Sequence, residues 1–131
     1  MRLLLDTHIL LWRLAGRDRL SAKAIELIDE TATQVVASTV SVWEVAIKWS
    51  LRKGSLDDMP LSGRDFVAAL DAAGIEVLPI RPSHAAELDD LPSLHRDPFD
   101  RLLLATAQVE GLTLLTRDTQ LGAYGSAVVL V

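Results

Sequence analysis

Five short apolar runs recur along the chain, and they constrain its fold more than any other feature. They consist mostly of Val, Ile and Leu without polar alternation, which is typical of strands that are covered on both faces. The runs lie at residues 3–5, 35–37, 75–80, 112–115 and 127–131. Segments with helical spacing separate them, at residues 8–14, 21–30, 39–52, 64–73, 83–88 and 98–110. Because strands that alternate with helices form βαβ units, the sequence predicts a single α/β domain over residues 1–131, with a central parallel β-sheet and α-helices on both faces.

The composition excludes several classes of function. The chain has 131 residues and no cysteine, so disulfide scaffolds and Cys-ligated zinc or iron sites are ruled out. The formal net charge of −5 argues against a generic polycationic nucleic-acid binder. Asp6 and His8 interrupt the apolar N-terminus, which is unlike a signal peptide, and no apolar run approaches the roughly 18 residues of a membrane span. We therefore expect a soluble cytoplasmic protein with no membrane partner.

Acidic residues follow the predicted strands at the points where functional groups gather in parallel sheets. Asp6 comes directly after the first run, and Glu44 lies early in the helix that follows the second. Asp97 and Asp100 open the helix that precedes the fourth run, and Asp118 lies just beyond that run. Because ligands bind outside the carboxyl ends of parallel strands, we expect these acids to converge on one edge of the sheet.

Each acid also has a purely structural explanation. Asp6 suits a helix cap and Asp118 suits a turn. Ser41 and Glu44 match a capping box, and Glu44 is also spaced to form an ion pair with Lys48 one helical turn later. Capping alone does not explain an acid at every strand exit on one edge, so the functional explanation gains weight when the acids are taken together.

A cluster of carboxylates predicts a metal ion. Clustered negative charges repel one another unless some are protonated or a cation neutralises them. Oxygen ligands without cysteine favour a hard divalent ion, Mg²⁺ or Mn²⁺, over zinc. Such an ion activates water and neutralises charge at phosphorus, so phosphodiester hydrolysis is the reaction that this chemistry suits best.

Four motifs in order along the chain resemble a known family. They are LLDTH at 4–8, SVWEVAIK at 41–48, HRDPFDRLL at 95–103 and LTRD at 115–118. Together they resemble the PIN-domain ribonucleases of the VapC toxin class, and the resemblance covers essentially the whole chain. It implies a parallel sheet with helices on both sides, Mg²⁺- or Mn²⁺-dependent cleavage of RNA, a small cognate antitoxin of the VapB type, and a homodimer.

The resemblance also assigns the site. It makes Asp6, Glu44, Asp100 and Asp118 the catalytic acids that hold the metal ion. Asp100 fits the third position better than Asp97, because it directly precedes an apolar helical run. We interpret Asp97 as the N-cap of that helix, with support of the metal site as the alternative.

Neighbouring residues suit supporting roles. The hydroxyls of Thr7 and Thr116 are candidates to orient carboxylates or a water molecule, with an ordinary turn or capping role as the alternative. Arg96 and Arg101 flank the start of the acidic helix and are the best candidates to contact RNA phosphates. His95 is a candidate to contact RNA or to assist proton transfer.

Other functions remain open at this stage. A phosphatase of the haloacid-dehalogenase type would use Asp6 as its nucleophile, but that class usually has a second acid two residues later, where this chain has His8. A receiver-like phosphoacceptor domain would need an acidic pair at the end of the first strand. A non-catalytic binding domain, whose acids are only helix caps, is the third alternative.

Overall fold

A five-stranded parallel sheet forms the centre of the computed structural model, which describes residues 1–94 and 96–131. The strands are β1 (Arg2–Leu5), β2 (Gln34–Ser38), β3 (Glu76–Leu78), β4 (Thr113–Thr116) and β5 (Val128–Leu130). Their order across the sheet is β3-β2-β1-β4-β5, and every neighbouring pair is parallel. The predicted fold class is therefore confirmed, and β1 occupies the middle of the sheet.

Helices connect the strands where the hydrophobic spacing predicts them. They are α1 (Thr7–Ala15), α2 (Ala22–Glu26), α3 (Thr39–Ser50), α4 (Gly63–Ala72), α5 (Pro82–Ala86) and α6 (Pro98–Glu110). Three are shorter than predicted. The chain after α2 widens into a π-type turn at Leu27–Thr31, the chain after α5 forms a 3₁₀ turn at Glu87–Asp90, and α3 ends two residues early, at Ser50. None of the helices that the structure describes has both the length and the apolar character needed to cross a membrane.

Two apolar cores cover the two faces of the sheet. Successive side chains of β1 alternate between them: Leu3 and Leu5 belong to one core, and Leu4 belongs to the other. Phe66 of α4 is buried in the first core, and Leu104 of α6 is buried in the second. All five side chains are fully buried. Because the sheet is buried on both faces, consecutive residues of each strand are apolar, which explains the unbroken apolar runs in the sequence.

Helix ends follow the local sequence. The Ser21 side chain accepts a hydrogen bond from the Ala24 amide at 3.1 Å and so caps α2. Gly111 follows α6 with φ of 67°, a left-handed conformation that favours glycine. Both predicted helix ends are confirmed.

Two segments differ from the prediction or go beyond it. β3 covers only Glu76–Leu78, although the apolar run extends to residue 80, because Pro79 has no amide hydrogen to donate to a neighbouring strand. The segment Thr119–Ala127, for which the sequence indicated no element, forms 3₁₀ turns that are interrupted at Gly125. Both differences lie at the sides of the sheet and leave its central strands unchanged.

A buried histidine ties α5 to the end of α6. His84 is fully buried, and its Nδ1 accepts the Arg81 amide at 3.0 Å. The other ring nitrogen, Nε2, therefore carries the hydrogen and donates to Oε1 of Glu110 at 2.7 Å. This hydrogen bond, followed by the nearby charge of Arg81, lowers the pKa of the Glu110 carboxyl. The ionised carboxylate is thus the form that stabilises the fold.

The Glu110→Gln substitution should lower the free energy of unfolding at pH 7. Because the pKa of Glu110 is lowered in the folded state, its contribution is fully present above the ordinary glutamate pKa and is lost as pH falls through the lowered value. The difference between variant and wild type should therefore shrink on acidification. Urea denaturation at a series of pH values measures the free energy of unfolding of variant and wild type. Glu26→Gln, at an exposed position of α2, is the control. A difference between variant and wild type that does not change with pH would contradict the prediction.

Candidate active site

The predicted acids lie around the carboxyl end of the two central strands. Asp6 directly follows β1, and Asp118 follows β4, which pairs with β1. Glu44 belongs to α3, which begins immediately after β2 on the other side of β1. The strand order therefore brings residues that are far apart in sequence to the same edge of the sheet.

Thr116 joins the ends of β1 and β4. Its hydroxyl donates to Oδ2 of Asp6 at 2.5 Å, and its oxygen accepts the Asp118 amide at 3.0 Å. Thr116 is fully buried, so no solvent competes for these bonds. The threonine consequently orients the Asp6 carboxylate and positions the loop that carries Asp118.

Asp6 is a buried carboxylate at the N-cap position of α1. Its carbonyl oxygen accepts the Leu10 amide at 2.9 Å, but its side chain makes no capping hydrogen bond, so capping does not explain the carboxylate. Burial raises the pKa of Asp6, and the Glu44 charge adds to the rise; the hydrogen bond from Thr116 offsets it in part. The side chain is only 6% exposed. A nearby cation would stabilise the ionised form of such a group.

Glu44 is held from two sides. Its Oε1 accepts a hydrogen bond from the Thr7 hydroxyl at 2.7 Å, and the oxygens of Thr7 and Ser41 are 2.9 Å apart. Its Oε2 is 2.5 Å from Nζ of Lys48, which confirms the predicted ion pair. The capping-box explanation is wrong, because Ser38 caps α3 and Ser41 lies inside the helix. Glu44 is only 3% exposed and is directed inward by these partners.

Lys48 is a site residue that sequence reasoning treated only as a helix partner of Glu44. Partial burial lowers the pKa of Lys48, but the hydrogen bond and charge of Glu44 and the charges of Asp97 and Asp100 raise it overall. The lysine therefore carries its charge between α3 and the start of α6. In the sequence, the role of Lys48 was indicated by its position four residues after Glu44.

The acids of α6 have different positions. Oδ1 of Asp97 accepts the amides of Phe99 at 2.9 Å and Asp100 at 3.2 Å, which confirms Asp97 as the N-cap. Asp100 lies in the first turn and is half-buried. Because both charges act on Lys48, this end of α6 faces the space beside Glu44.

Asp118 begins the 3₁₀ segment after β4. Its Oδ1 accepts the Gln120 amide at 3.0 Å, so the predicted turn role is confirmed. The residue is half-buried. This bond engages one carboxylate oxygen of Asp118.

The donor set of this edge suits a hard divalent cation. In the parts of the chain that are described, no three carboxylate or imidazole side chains lie close enough to hold a metal ion together. The acids thus share an edge of the sheet without closing into a cluster of ligands. Mg²⁺ nevertheless keeps several waters and is usually held by one or two carboxylates together with substrate phosphates. The buried Asp6 carboxylate and its acidic neighbours fit that requirement.

The residues proposed to contact RNA differ in exposure. Arg96 is exposed, whereas Arg101 is half-buried in α6. Nε of Arg101 is buried, and it has no hydrogen-bond partner within the described residues. His95 lies outside the residues that the structure describes. Arg96 is therefore the accessible basic side chain beside the capped end of α6.

Comparison with known proteins identifies the family. Residues 3–126 match the PIN domain. The chain is 33% identical over 122 residues to Ribonuclease VapC22 of Mycobacterium tuberculosis, an alignment that covers 92% of this chain and 90% of that protein.

Solved structures share the fold. One is the VapBC2 structure from Rickettsia felis, bound to a DNA fragment from its promoter, which aligns with a TM-score of 0.68 at 16% identity. The alignment covers 100% of this chain and 98% of the Rickettsia felis chain. A toxin–antitoxin complex from Klebsiella pneumoniae aligns with a TM-score of 0.64 at 24% identity, over 96% and 94% of the two chains. The chain belongs to the PIN domain family, in the group that includes the VapC ribonucleases.

Proposed function

We propose that this protein is a metal-dependent endoribonuclease and the toxin of a toxin–antitoxin pair. The observation that carries the proposal is the Asp6 carboxylate, which is buried at the sheet edge, is held by Thr116 and makes no capping hydrogen bond to α1. It occurs in a chain that is 33% identical to a ribonuclease over most of its length. A haloacid-dehalogenase mechanism lacks support, because its second acid would stand at the exposed His8.

The residues of such a site would have two roles, which are to hold the metal ion and to orient its ligands. Asp6 together with a neighbouring acid among Glu44, Asp100 and Asp118 would hold Mg²⁺ or Mn²⁺. The ion would supply a Lewis acid to polarise the scissile phosphate and to lower the pKa of water. Thr116 keeps the Asp6 carboxylate in a fixed orientation through its 2.5 Å hydrogen bond.

The second threonine and the lysine act on Glu44. Thr7 donates to one carboxylate oxygen of Glu44, and Lys48 pairs with the other. Both bonds fix the orientation of the carboxylate. The charged Lys48 also offsets the repulsion between Glu44 and the acids of α6.

Cleavage of single-stranded RNA by the purified protein should require a divalent cation. We expect excess EDTA to abolish cleavage and Mg²⁺ or Mn²⁺ to restore it, because hard oxygen ligands bind these ions. Gel analysis of labelled RNA measures the products. An Asp6→Asn variant purified in the same way controls for contaminating nucleases; EDTA-resistant cleavage that the variant lacks would contradict the metal requirement.

Substitution of the two acids of α6 should separate catalysis from capping. Asp100→Asn should lower the cleavage rate by about 100-fold or more, since loss of even an outer partner of a metal site costs about 10- to 100-fold. Asp97→Asn should retain activity and change stability by about 1 kcal/mol or less, because asparagine also caps helices. Melting temperatures and rates of both variants provide the measurement. An inactive Asp97→Asn beside an active Asp100→Asn would reverse the assignment.

A small antitoxin is the proposed partner, since the neighbouring structures include toxin–antitoxin complexes. Clustered carboxylates attract cations, and a guanidinium pairs with a carboxylate through two hydrogen bonds. We propose that an antitoxin arginine binds the acids beside Asp6 and blocks access of the metal or the substrate.

The complex with the antitoxin should cleave RNA much more slowly than the free protein. The chain is co-expressed with the small open reading frame beside its gene, and cleavage is measured before and after removal of the partner. Mixing the separated components again should restore inhibition. Equal rates for the complex and the free protein would show that the partner does not occupy the acidic site.

Homodimerisation, which the family resemblance implies, stays a prediction. Trp43 of α3 is 49% exposed and packs edge-on against Phe99 of α6, with 4.9 Å between ring centroids. Leu94 is also exposed shortly before α6. An exposed apolar surface that includes an aromatic pair is the kind of surface that a second copy would bury.

A further inference from the structure

A groove opens beside the acids, and the roles given above do not use it. Its volume is about 1040 Å³, and it lies between α1 and the loop of residues 51–60. His8, Trp12 and Lys48 line it. His8 is two residues from Asp6, and Lys48 is bonded to Glu44. The groove is therefore continuous with the proposed cleavage site.

Trp12 presents an aromatic surface flanked by basic groups. His8 and Trp12 are one turn apart on α1, with ring centroids separated by 5.9 Å. The guanidinium of Arg117 lies 5.1 Å from the Trp12 ring centroid. Both His8 and Arg117 are exposed. Arg117 stands between Thr116 and Asp118, so it links the tryptophan directly to the acidic edge.

Acidic residues line the groove as well: Asp18, whose neighbour Arg19 also lines it, and Asp57 and Asp58 of the loop. Asp58 lines the groove from the loop, but its Oδ2 already accepts the amides of Lys53, Gly54 and Ser55, at 2.9, 2.7 and 2.9 Å. The Trp12 end, where the Arg117 guanidinium lies 5.1 Å from the ring centroid, is the part suited to an anionic ligand.

We propose that Trp12 stacks with an unpaired base of the RNA substrate, next to the scissile bond, while Arg117 contacts an adjacent phosphate. A nucleotide combines a flat ring with a negative charge. Its base would replace the Arg117 guanidinium over the Trp12 ring, and the guanidinium would turn to the adjacent phosphate. Single-stranded nucleic acids are bound by such stacking and basic contacts. An antitoxin arginine is less suited to this end, because the Arg117 guanidinium over Trp12 would repel it. The inference rests on the proposed ribonuclease function and adds a positioning subsite to it.

Removal of single bases from the substrate tests the stacking. RNA oligonucleotides carry one abasic site at successive positions around the cleaved bond. For the wild type, one position should raise KM about tenfold, the scale of one lost base–aromatic stack. Trp12→Leu, which keeps apolar packing against the core, should raise KM about tenfold on intact RNA and lose sensitivity to that abasic position. Trp12→Phe should retain part of the sensitivity.

A matched pair of residues elsewhere provides the control. Trp49 is covered by the Arg52 guanidinium at 3.7 Å from its ring centroid, and neither residue lines the groove. Trp49→Leu should leave the abasic profile unchanged. Arg117→Gln should also reduce the slope of log Kd against log salt by about 0.7, the effect of one lost phosphate contact on a single strand, whereas Arg52→Gln should not.

The outcomes distinguish this inference from the proposed function. Equal abasic penalties in wild type and Trp12→Leu would overturn the stacking role while cleavage by the wild type upholds the ribonuclease. RNA binding measured by fluorescence anisotropy with Ca²⁺ gives the same comparison without cleavage. If the protein cleaves no RNA but its RNA binding still depends on the base and on Trp12, the stacking subsite is supported and the proposed nuclease activity is wrong. If Trp12→Leu weakens only antitoxin binding, the groove is a protein-docking surface and the inference is wrong.

Discussion

The hydrogen bond from Thr116 to Asp6 is the contact on which the rest of the site depends. It connects the ends of the two central strands, whose register pairs Leu5 with Leu115. A buried carboxylate without a partner would strongly destabilise the fold, so the threonine makes it possible to keep Asp6 inside. The same oxygen accepts the Asp118 amide. One buried hydroxyl thereby sets the position of two of the proposed metal-holding acids.

A second group of contacts balances charge on the other side of β1. Glu44 is even more buried than Asp6, and it has both a hydroxyl donor in Thr7 and a cation in Lys48. Thr7 directly follows Asp6, so the two halves of the site are linked through adjacent residues. Lys48 also lines the groove beside Trp12. The proposed substrate surface and the acidic site therefore share a residue, and changes to the lysine would affect both.

Local sequence patterns located the elements well but did not always identify the residue that performs a role. The apolar runs located all five strands, and Asp97 was correctly interpreted as a helix cap. The spacing of Ser41 and Glu44 suggested a capping box, but β2 ends at Ser38, which caps α3 instead. A serine followed three residues later by a glutamate has the same spacing at the start of a helix and inside it, so the spacing does not show where β2 ends and α3 begins.

The sequence by itself determined that the chain forms strands covered on both faces, that acids follow those strands, and that no cysteine thiolate is present to bind a metal ion. These properties depend on the periodicity and chemistry of neighbouring residues. Only the tertiary structure decided that Thr116 bonds to Asp6 across 110 positions, that Thr7 bonds to Glu44 across 37, and that Arg117 lies over Trp12. Such contacts depend on the order of strands in the sheet. That order results from packing the whole chain, and no local pattern carries it.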